Sequence, residues 1–318
     1  MISRPSARVR HFGTFAAVLA IAGLAGGCRQ QAPEARQQLV IAVQPTATAE
    51  QLAAESKELE QFLESRLPGV DVELRVPTLF AGVIEALRFG HAHAAFMSAW
   101  PAVLAQKHAG AEVALAEVRQ VLIDGEEVER PFYFSYWVVM PGSRYETLAD
   151  LKGRRVAFPS PLSTSGYVMP MAKLVERELV APDEGEADPE QFFGQVLFAG
   201  GYAQAWQALK SGQVDATVIA GDVPAVLYNE VLGATRIIES QGPIPSHAVV
   251  FGKTLEEPLR SQLRDALMAL GEPEHRVLMR KFISGIFVRF QPATTSEHLA
   301  ALQQSLQATN LQYTERLR

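Results

Sequence analysis

Residues 84–99, IEALRFGHAHAAFMSA, and residues 206–221, WQALKSGQVDATVIAG, align with each other without gaps. In each segment a helical pattern ends at a glycine, Gly90 or Gly212, and a short apolar run follows. A glycine just after a helical pattern favours a helix end, and a short apolar run is typical of a buried strand. The repeat therefore predicts two similar α/β lobes.

The flanking segments continue this alternation. Residues 39–43, LVIAV, predict a strand, residues 46–67 predict a helix, and residues 70–76, VDVELRV, predict a second strand. Strand–helix–strand order indicates parallel pairing with right-handed crossovers. We expect an α/β fold of two lobes, each a mixed sheet flanked by helices. Ligands of open α/β sheets bind at the carboxyl ends of the strands, so we expect the ligand cleft between the lobes.

The predicted organisation places lobe 1 at residues 39–134 and lobe 2 at residues 135–240. Residues 129–143 are expected to contain the strand that crosses from lobe 1 to lobe 2, and residues 237–251 the strand that returns. Residues 241–318 then comprise the return strand and C-terminal helices that pack on lobe 1. Two crossings suit hinge closure around a ligand.

The N-terminus differs in character from the rest of the chain. Three arginines precede the apolar run at residues 12–27, and the run ends at Cys28, the only cysteine in the sequence. This arrangement resembles a bacterial lipoprotein signal at residues 1–27, with Cys28 as the lipidated residue, and residues 28–38 as a polar tether. A buried free thiol is the alternative for Cys28. The three arginines are Arg4, Arg8 and Arg10.

Charge and motifs exclude several function classes. Removing residues 1–27 removes three arginines and no acidic residue, so the formal net charge changes from −6 to −9. A chain this acidic lacks the basic surface that nucleic-acid binding requires. The sequence contains none of the common hydrolase, metalloprotease or P-loop motifs, so we expect no enzymatic activity. His91 and His93 have no further ligands nearby, so we predict no metal site and no cofactor.

Three hydroxyl residues and a glycine, Ser163, Thr164, Ser165 and Gly166, follow a predicted strand at the start of a predicted helix. Hydroxyl donors and the N–H groups of a helix N-terminus together form an anion site without a lysine or arginine. Gly166 allows close approach of the backbone. Helix capping explains one such hydroxyl, but capping does not require three. Pro170 indicates an irregular helix start.

The segment STSGYVMP at 163–170 resembles the signature of the phosphate-, phosphite- and phosphonate-binding members of the type II periplasmic substrate-binding proteins. These proteins are the solute receptors of ABC importers. The resemblance runs from about residue 39 to residue 290. It implies capture of a small phosphorus oxyanion between two lobes, a permease and its ATPase as partners, and a monomer. The expected location is the periplasm or the outer face of the cytoplasmic membrane, with a lipid anchor at Cys28.

The same resemblance implies which residues contact the ligand. The hydroxyls of Ser163, Thr164 and Ser165 would bind the oxyanion beside Gly166. Further candidates are the matching acid Asp222, the aromatic residue Tyr133, and three residues where the family has other types (Tyr202 for a histidine, His247 for an aspartate, Phe80 for a tyrosine). Trp100 is a candidate because it follows a predicted lobe 1 strand at its carboxyl end. Core packing is an open alternative for Tyr133 and Trp100.

The departures at Tyr202 and His247 affect the expected ligand. A buried carboxylate at Asp222 beside a dianion requires a proton on one partner. With His247 in place of an acid, an ammonium group would lose half its partners, which favours phosphite, phosphate or methylphosphonate over 2-aminoethylphosphonate. Two alternatives stay open: an oxyanion sensor that partners a histidine kinase, and an importer receptor for a sulfonate or another oxyanion.

Overall fold

The computed structural model describes residues 36–45, 49–123, 126–181, 187–221, 223–300, 302–303 and 306. The predicted signal segment, Cys28 and Asp222 lie outside these residues, as do most of the predicted tether and residues 307–318. No helix in the described ranges combines the length and the apolar character that a bilayer crossing requires.

The first lobe is built from alternating strands and helices followed by a hairpin. Its elements are β1 (Gln37–Val43), α1 (Ala49–Arg66), β2 (Val70–Arg75), α2 (Phe80–Arg88), β3 (Ala94–Met97), α3 (Ala99–Ala109), β4 (Glu112–Ile123) and β5 (Glu126–Arg130).

The second lobe repeats the alternation. Its elements are β6 (Phe132–Val139), β7 (Arg155–Phe158), a π-helical turn (Thr164–Val168), α4 (Met169–Glu176), β8 (Gln195–Phe198), α5 (Tyr202–Lys210), β9 (Ala216–Ala220), α6 (Ala225–Ala234) and β10 (Arg236–Pro245).

The remaining elements return to the first sheet. They are β11 (Ala248–Phe251), α7 (Leu259–Met268), α8 (Arg276–Phe282), β12 (Phe287–Pro292) and the short α9 (Thr295–His298). Short 3-10 turns occur at Leu148–Leu151, Pro189–Gln191 and Ala269–Gly271.

Both sheets are mixed. The first has the order β12-β4-β11-β3-β1-β2, with β5 paired to β4, and the second has the order β10-β6-β9-β7-β8. The strands joined through helices pair in parallel, β1 with β2 and β3, and β7 with β8 and β9. The other pairs are antiparallel, which completes two mixed sheets flanked by helices. The predicted fold class is confirmed.

Apolar burial follows the same division. One cluster fills lobe 1, where Leu59 and Leu63 of α1 pack with Leu263 and Leu267 of α7. A second fills lobe 2 around Trp137. A third cluster contains side chains from both sheets, and it holds the two lobes together by burial of apolar surface. Its members include Phe80, Trp100, Tyr133, Val168 and Tyr202.

The chain changes lobes at Pro131 and again at Ser246–His247, between β10 and β11. The predicted boundaries at 134/135 and 240/241 therefore fall inside strands β6 and β10. The two crossings contact each other, since the Ser246 N–H donates to the Pro131 carbonyl at 3.2 Å.

Candidate functional site

The carboxyl ends of the parallel strands in lobe 1 lie close to those in lobe 2. The Trp100 N–H, at the start of α3 in lobe 1, donates to Thr164 Oγ1 in lobe 2 at 2.7 Å. A second contact lies close by, where a methyl group placed on Gly201 would come within 3.4 Å of the Pro45 carbonyl oxygen. The carboxyl ends of the parallel strands of both lobes therefore meet at one place.

The lobe 2 side of this place carries the hydroxyl triplet. Ser163, Thr164 and Ser165 are fully buried at the beginning of the π-helical turn. Ser163 is the N-cap residue, and its Oγ accepts from the Gly166 N–H at 3.0 Å. Since Thr164 Oγ1 already accepts a hydrogen bond from Trp100, its own proton remains a donor. These two contacts use acceptor capacity of Thr164 and Ser163, so neither of them consumes an O–H donor that an anion would need.

Gly166 is required by close approach. A methyl group in its place would overlap Cγ of Pro159 and come within 2.7 Å of Ser163 Oγ. The Pro159 ring is fixed to the backbone at the end of β7, so it cannot swing away. The irregular helix start predicted from Pro170 is confirmed: a π-helical turn precedes α4, and Pro170 lies in the first turn of that helix.

Tyr202 begins α5 and reaches the same hydroxyls. Its phenolic oxygen lies 2.7 Å from Ser165 Oγ and 3.4 Å from Ser163 Oγ. Gly201, the N-cap residue of α5, has no side chain to cap the helix. The helix starts of α5 and of the turn at Thr164 therefore share one polar centre, with the positive ends of both helix dipoles directed at it.

The lobe 1 side holds a polar pair that the sequence analysis did not identify, Gln44 and Ser98. Ser98 is the N-cap residue of α3, yet its hydroxyl makes no capping bond. It donates instead to Gln44 Oε1 at 3.0 Å, and the Ser98 N–H donates to the same oxygen at 3.1 Å. Both residues are buried. One feature of the sequence could have indicated Gln44: the segment QPTAT follows β1 as PSPLSTS, which contains the hydroxyl triplet, follows β7.

Three predicted aromatic residues lie in the apolar cluster shared by the lobes. Phe80 begins α2, Trp100 lies in the first turn of α3, and Tyr133 lies near the start of β6. All three are buried. The structure thus brings them together between the lobes, while ligand contact by their side chains remains a prediction. Trp206 belongs to the same buried cluster, and its Nε1 donates to Glu230 at 2.9 Å.

A buried ion pair supports Tyr133 from the lobe 1 side. Arg119 and Glu117 are fully buried on β4, with Arg119 Nε donating to Glu117 Oε2 at 2.7 Å. The Arg119 guanidinium carbon lies 4.1 Å from the centre of the Tyr133 ring, a cation–π geometry. The two charges compensate each other, and the ion pair holds the Arg119 guanidinium in place against the Tyr133 ring.

His247 lies at the return crossing, where its carbonyl accepts from the Glu117 N–H at 3.0 Å. It is buried, and its contact with a ligand remains a prediction. His298 of α9 contacts the same crossing through its Nε2, 2.8 Å from the Ser246 carbonyl oxygen. Burial lowers the pKa of His298 to about 4, so this imidazole stays neutral at physiological pH.

Asp222 lies outside the described residues, but its neighbours on both sides are held by lobe 1. The Ser284 hydroxyl donates to the Gly221 carbonyl and the Gly285 N–H donates to the Val223 carbonyl, each at 2.8 Å. Gly221 and Val223 are therefore both bonded to the segment that follows α8.

A family model matches residues 41–298, more than three quarters of the chain, and its description is "ABC transporter, phosphonate, periplasmic substrate-binding protein". The chain is 30% identical over 179 residues to the phosphate-import protein PhnD of Mycolicibacterium smegmatis. That alignment covers 56% of this chain and 53% of the relative, about half of its length.

Two solved structures share the fold. The binding protein component of an ABC phosphonate transporter from Pseudomonas aeruginosa superposes with a TM-score of 0.70 at 18% identity, over 86% of this chain and 87% of that one. PhnD1 from Prochlorococcus marinus, in complex with methylphosphonate, superposes with a TM-score of 0.69 at 16% identity, over 86% and 99% of the two chains. From the match over residues 41–298, the chain belongs to the family of periplasmic phosphonate-binding proteins of ABC transporters.

Proposed function

We propose that this protein binds a small phosphorus oxyanion, namely phosphite, phosphate or a small phosphonate, between its two lobes and delivers it to an ABC permease. The observation that carries the proposal is the group of fully buried hydroxyls of Ser163, Thr164 and Ser165, joined by the Tyr202 hydroxyl at two helix starts. Polar groups are buried at this density only where hydrogen bonds compensate for lost water.

Neutral donors suit this ligand class. A phosphorus oxyanion offers two or three oxygens with several acceptor positions, and hydroxyl and helix N–H donors can each satisfy one of them. Because all these donors are neutral, the site does not cancel the charge of the bound anion. This favours reversible binding. The matching family and the methylphosphonate complex of its structural neighbour support the same class.

We further propose that the mature chain is a monomer anchored through a lipid at Cys28, and that a permease and its ATPase receive the ligand. The apolar run at residues 12–27 and the polar segment after Cys28 support the anchor. Mass spectrometry of the protein purified from a bacterial host tests it. A thioether-linked diacylglycerol at Cys28 is expected, and an unmodified N-terminus at another residue would contradict the anchor.

The ligand is tested on the full chain in mild detergent by calorimetric titration and thermal unfolding. The panel contains phosphite, phosphate, methylphosphonate, 2-aminoethylphosphonate, sulfate and taurine. A bound ligand at about 100 times its Kd adds roughly 2.7 kcal/mol to folding stability, which shifts the Tm by roughly 5 °C or more. We expect this shift with at least one phosphorus compound.

The site is tested with the double variant Ser163→Ala/Thr164→Val, which removes two donors while keeping the volume of Thr164. We expect affinity to fall at least about 30-fold. Thr217→Val is the matched control, because the buried Thr217 hydroxyl donates to the Ala157 carbonyl within lobe 2. A shift with a sulfur anion and none with phosphorus would overturn the ligand assignment. Unchanged phosphorus binding in the double variant would overturn the site.

A further inference from the structure

Gln44 lies at the lobe 1 edge, directly after β1 and next to the start of α3. The side chain is buried, and its backbone N–H donates to the Phe96 carbonyl at 3.1 Å. Ser98, to which it is bonded, lies two residues before Trp100, which contacts Thr164 across the cleft. The Pro45 carbonyl, one residue on, lies against Gly201 beside Tyr202. Gln44 therefore belongs to the place where both lobes meet.

The orientation of the Gln44 amide is fixed by chemistry. A backbone N–H can only donate, so the atom that contacts the Ser98 N–H at 3.1 Å must be the amide oxygen. The Ser98 hydroxyl adds a second bond to that same oxygen at 3.0 Å. The nitrogen, Nε2, must then point away from Ser98 and can act only as a donor.

Within the described residues, Gln44 Nε2 is buried and has no hydrogen-bond partner. A buried N–H donor without a partner is rare in folded proteins because it has lost its water without compensation. Ser98 also gives up its ordinary capping role in α3 in order to hold this amide. An amide positioned so firmly, with its donor unused, indicates a ligand atom that accepts from it.

We propose that Gln44 is a ligand-binding residue of lobe 1, whose Nε2–H group donates to an ionised oxygen of the bound anion. This inference rests on the proposed function, and it adds a specificity to it. The anion is held by hydroxyls from lobe 2 and by this amide from lobe 1, so the bond to Gln44 forms only when the lobes close. The position favours an ionised oxygen, which accepts more strongly than a P–OH oxygen, and rejects an ammonium group, which has no lone pair to accept a hydrogen bond.

Two substitutions test the amide on the full chain in mild detergent. Gln44→Leu removes the donor at similar volume, and we expect the affinity for the best phosphorus ligand to fall about 10- to 100-fold. Gln44→Glu keeps an oxygen for Ser98 but places a carboxylate against the anion, so we expect a larger loss, over about 100-fold. Gln38→Leu, at the exposed start of the same strand, is the matched control and keeps wild-type affinity.

The outcomes separate the two proposals. If the wild-type protein binds no phosphorus anion, the proposed function fails and this inference fails with it. If the wild-type protein binds one and folded Gln44→Leu binds it within twofold, the inference alone is overturned. Where Gln44→Leu does not fold, NMR of the ¹⁵N-labelled wild type decides: one glutamine side-chain amide must shift downfield on adding phosphite or phosphate, and no shift overturns the inference.

Discussion

Helix α2 of lobe 1 and helix α5 of lobe 2 begin with matching aromatic residues, Phe80 and Tyr202. Each helix is followed, ten residues after its start, by a glycine with a positive φ, Gly90 at +70° and Gly212 at +75°. The two lobes thus repeat the same backbone with different chemistry. Tyr202 shares a hydrogen bond with Ser165, whereas a phenylalanine at the matching position contributes only apolar surface.

A hydrogen bond from a backbone N–H to the side chain that precedes a strand also occurs in both lobes. In lobe 1, His93 Nδ1 accepts from the Val40 N–H at 3.0 Å, and in lobe 2, Asp215 Oδ2 accepts from the Arg155 N–H at the same distance. The strand registers match these positions, since Ile41 pairs with Ala94 as Val156 pairs with Ala216. A neutral imidazole in lobe 1 and a carboxylate in lobe 2 therefore accept the equivalent backbone hydrogen bond.

The strand ends differ most. By the same register, Gln44 after β1 matches Pro159 after β7. Pro159 packs against Gly166 and shapes the hydroxyl loop, whereas Gln44 presents an amide. The repeat therefore keeps backbone geometry, while the side chains at matched positions differ in chemistry.

The largest expected effect comes from breaking the lobe 2 side at Gly166. Gly166→Ala places a methyl group on the Pro159 ring, so we expect the free energy of unfolding to fall by about 1–3 kcal/mol and anion binding to be lost. Chemical denaturation and calorimetric titration measure the two quantities. Gly142→Ala is the control, because no atom lies within 4 Å of its added methyl group. Wild-type stability and affinity in Gly166→Ala would show that the loop does not need this close approach.

An intermediate effect is expected from exchanging the aromatic residues. Tyr202→Phe removes the hydroxyl that shares a hydrogen bond with Ser165 at the proposed anion site, so affinity should fall roughly 5- to 30-fold. Phe80→Tyr makes lobe 1 resemble lobe 2, and we expect a change of at most about fivefold. Titration of both variants against the same anion tests the difference. Equal losses in the two would contradict a hydroxyl role confined to lobe 2.

The smallest effect concerns pH. Burial lowers the pKa of His93 below 6.5, so the unfolded chain gains a proton at this residue before the folded protein does, and stability falls as the pH drops below that value. The bond to Arg155 lowers the pKa of Asp215 below 3.8, so its contribution is lost only at more acidic pH. Between pH 6.5 and 4, the lobe 1 contact should therefore weaken first.

His93→Asp tests this difference by giving lobe 1 the chemistry of lobe 2. We expect the loss of stability between pH 7 and pH 5 to shrink by up to about 1 kcal/mol, measured by denaturation at both pH values. Hydrogen exchange reports the site, since the protection factor of the Val40 amide should fall at pH 5 in the wild type while that of Arg155 does not. An equal fall at both amides would show that the two contacts titrate together.

Periodicity and the internal repeat were sufficient to predict the parallel strands β1, β2, β3, β7 and β9, the helix ends at Gly90 and Gly212 and the two-lobed class, because these depend on local patterns. The hairpin of β4 and β5 was not identified. Its strands alternate less clearly, since Glu117 and Arg119 are buried as a pair. A buried charge pair interrupts the apolar alternation by which a buried strand is recognised in a sequence.

The candidate site was predictable where its residues are adjacent in sequence. Ser163, Thr164 and Ser165 form one motif, and the structure places them together with Tyr202. Gln44 was missed because its role depends on Ser98, 54 residues away, and on the register that brings β1 beside β3. A single glutamine after a strand carries no signal until its partner is known.

The hydrogen bond between the two crossings limits how the lobes can move. Pro131 and Ser246 are joined backbone to backbone, and Ser246 is also held by the Glu117 carbonyl and by His298. Because the two crossings are joined at one point, they resist sliding past each other. The strands that flank them can still twist. We therefore expect motion of the lobes to be mainly a rotation about this point. Any membrane partner that distinguishes the filled from the empty protein would measure an angle about this point, not a separation.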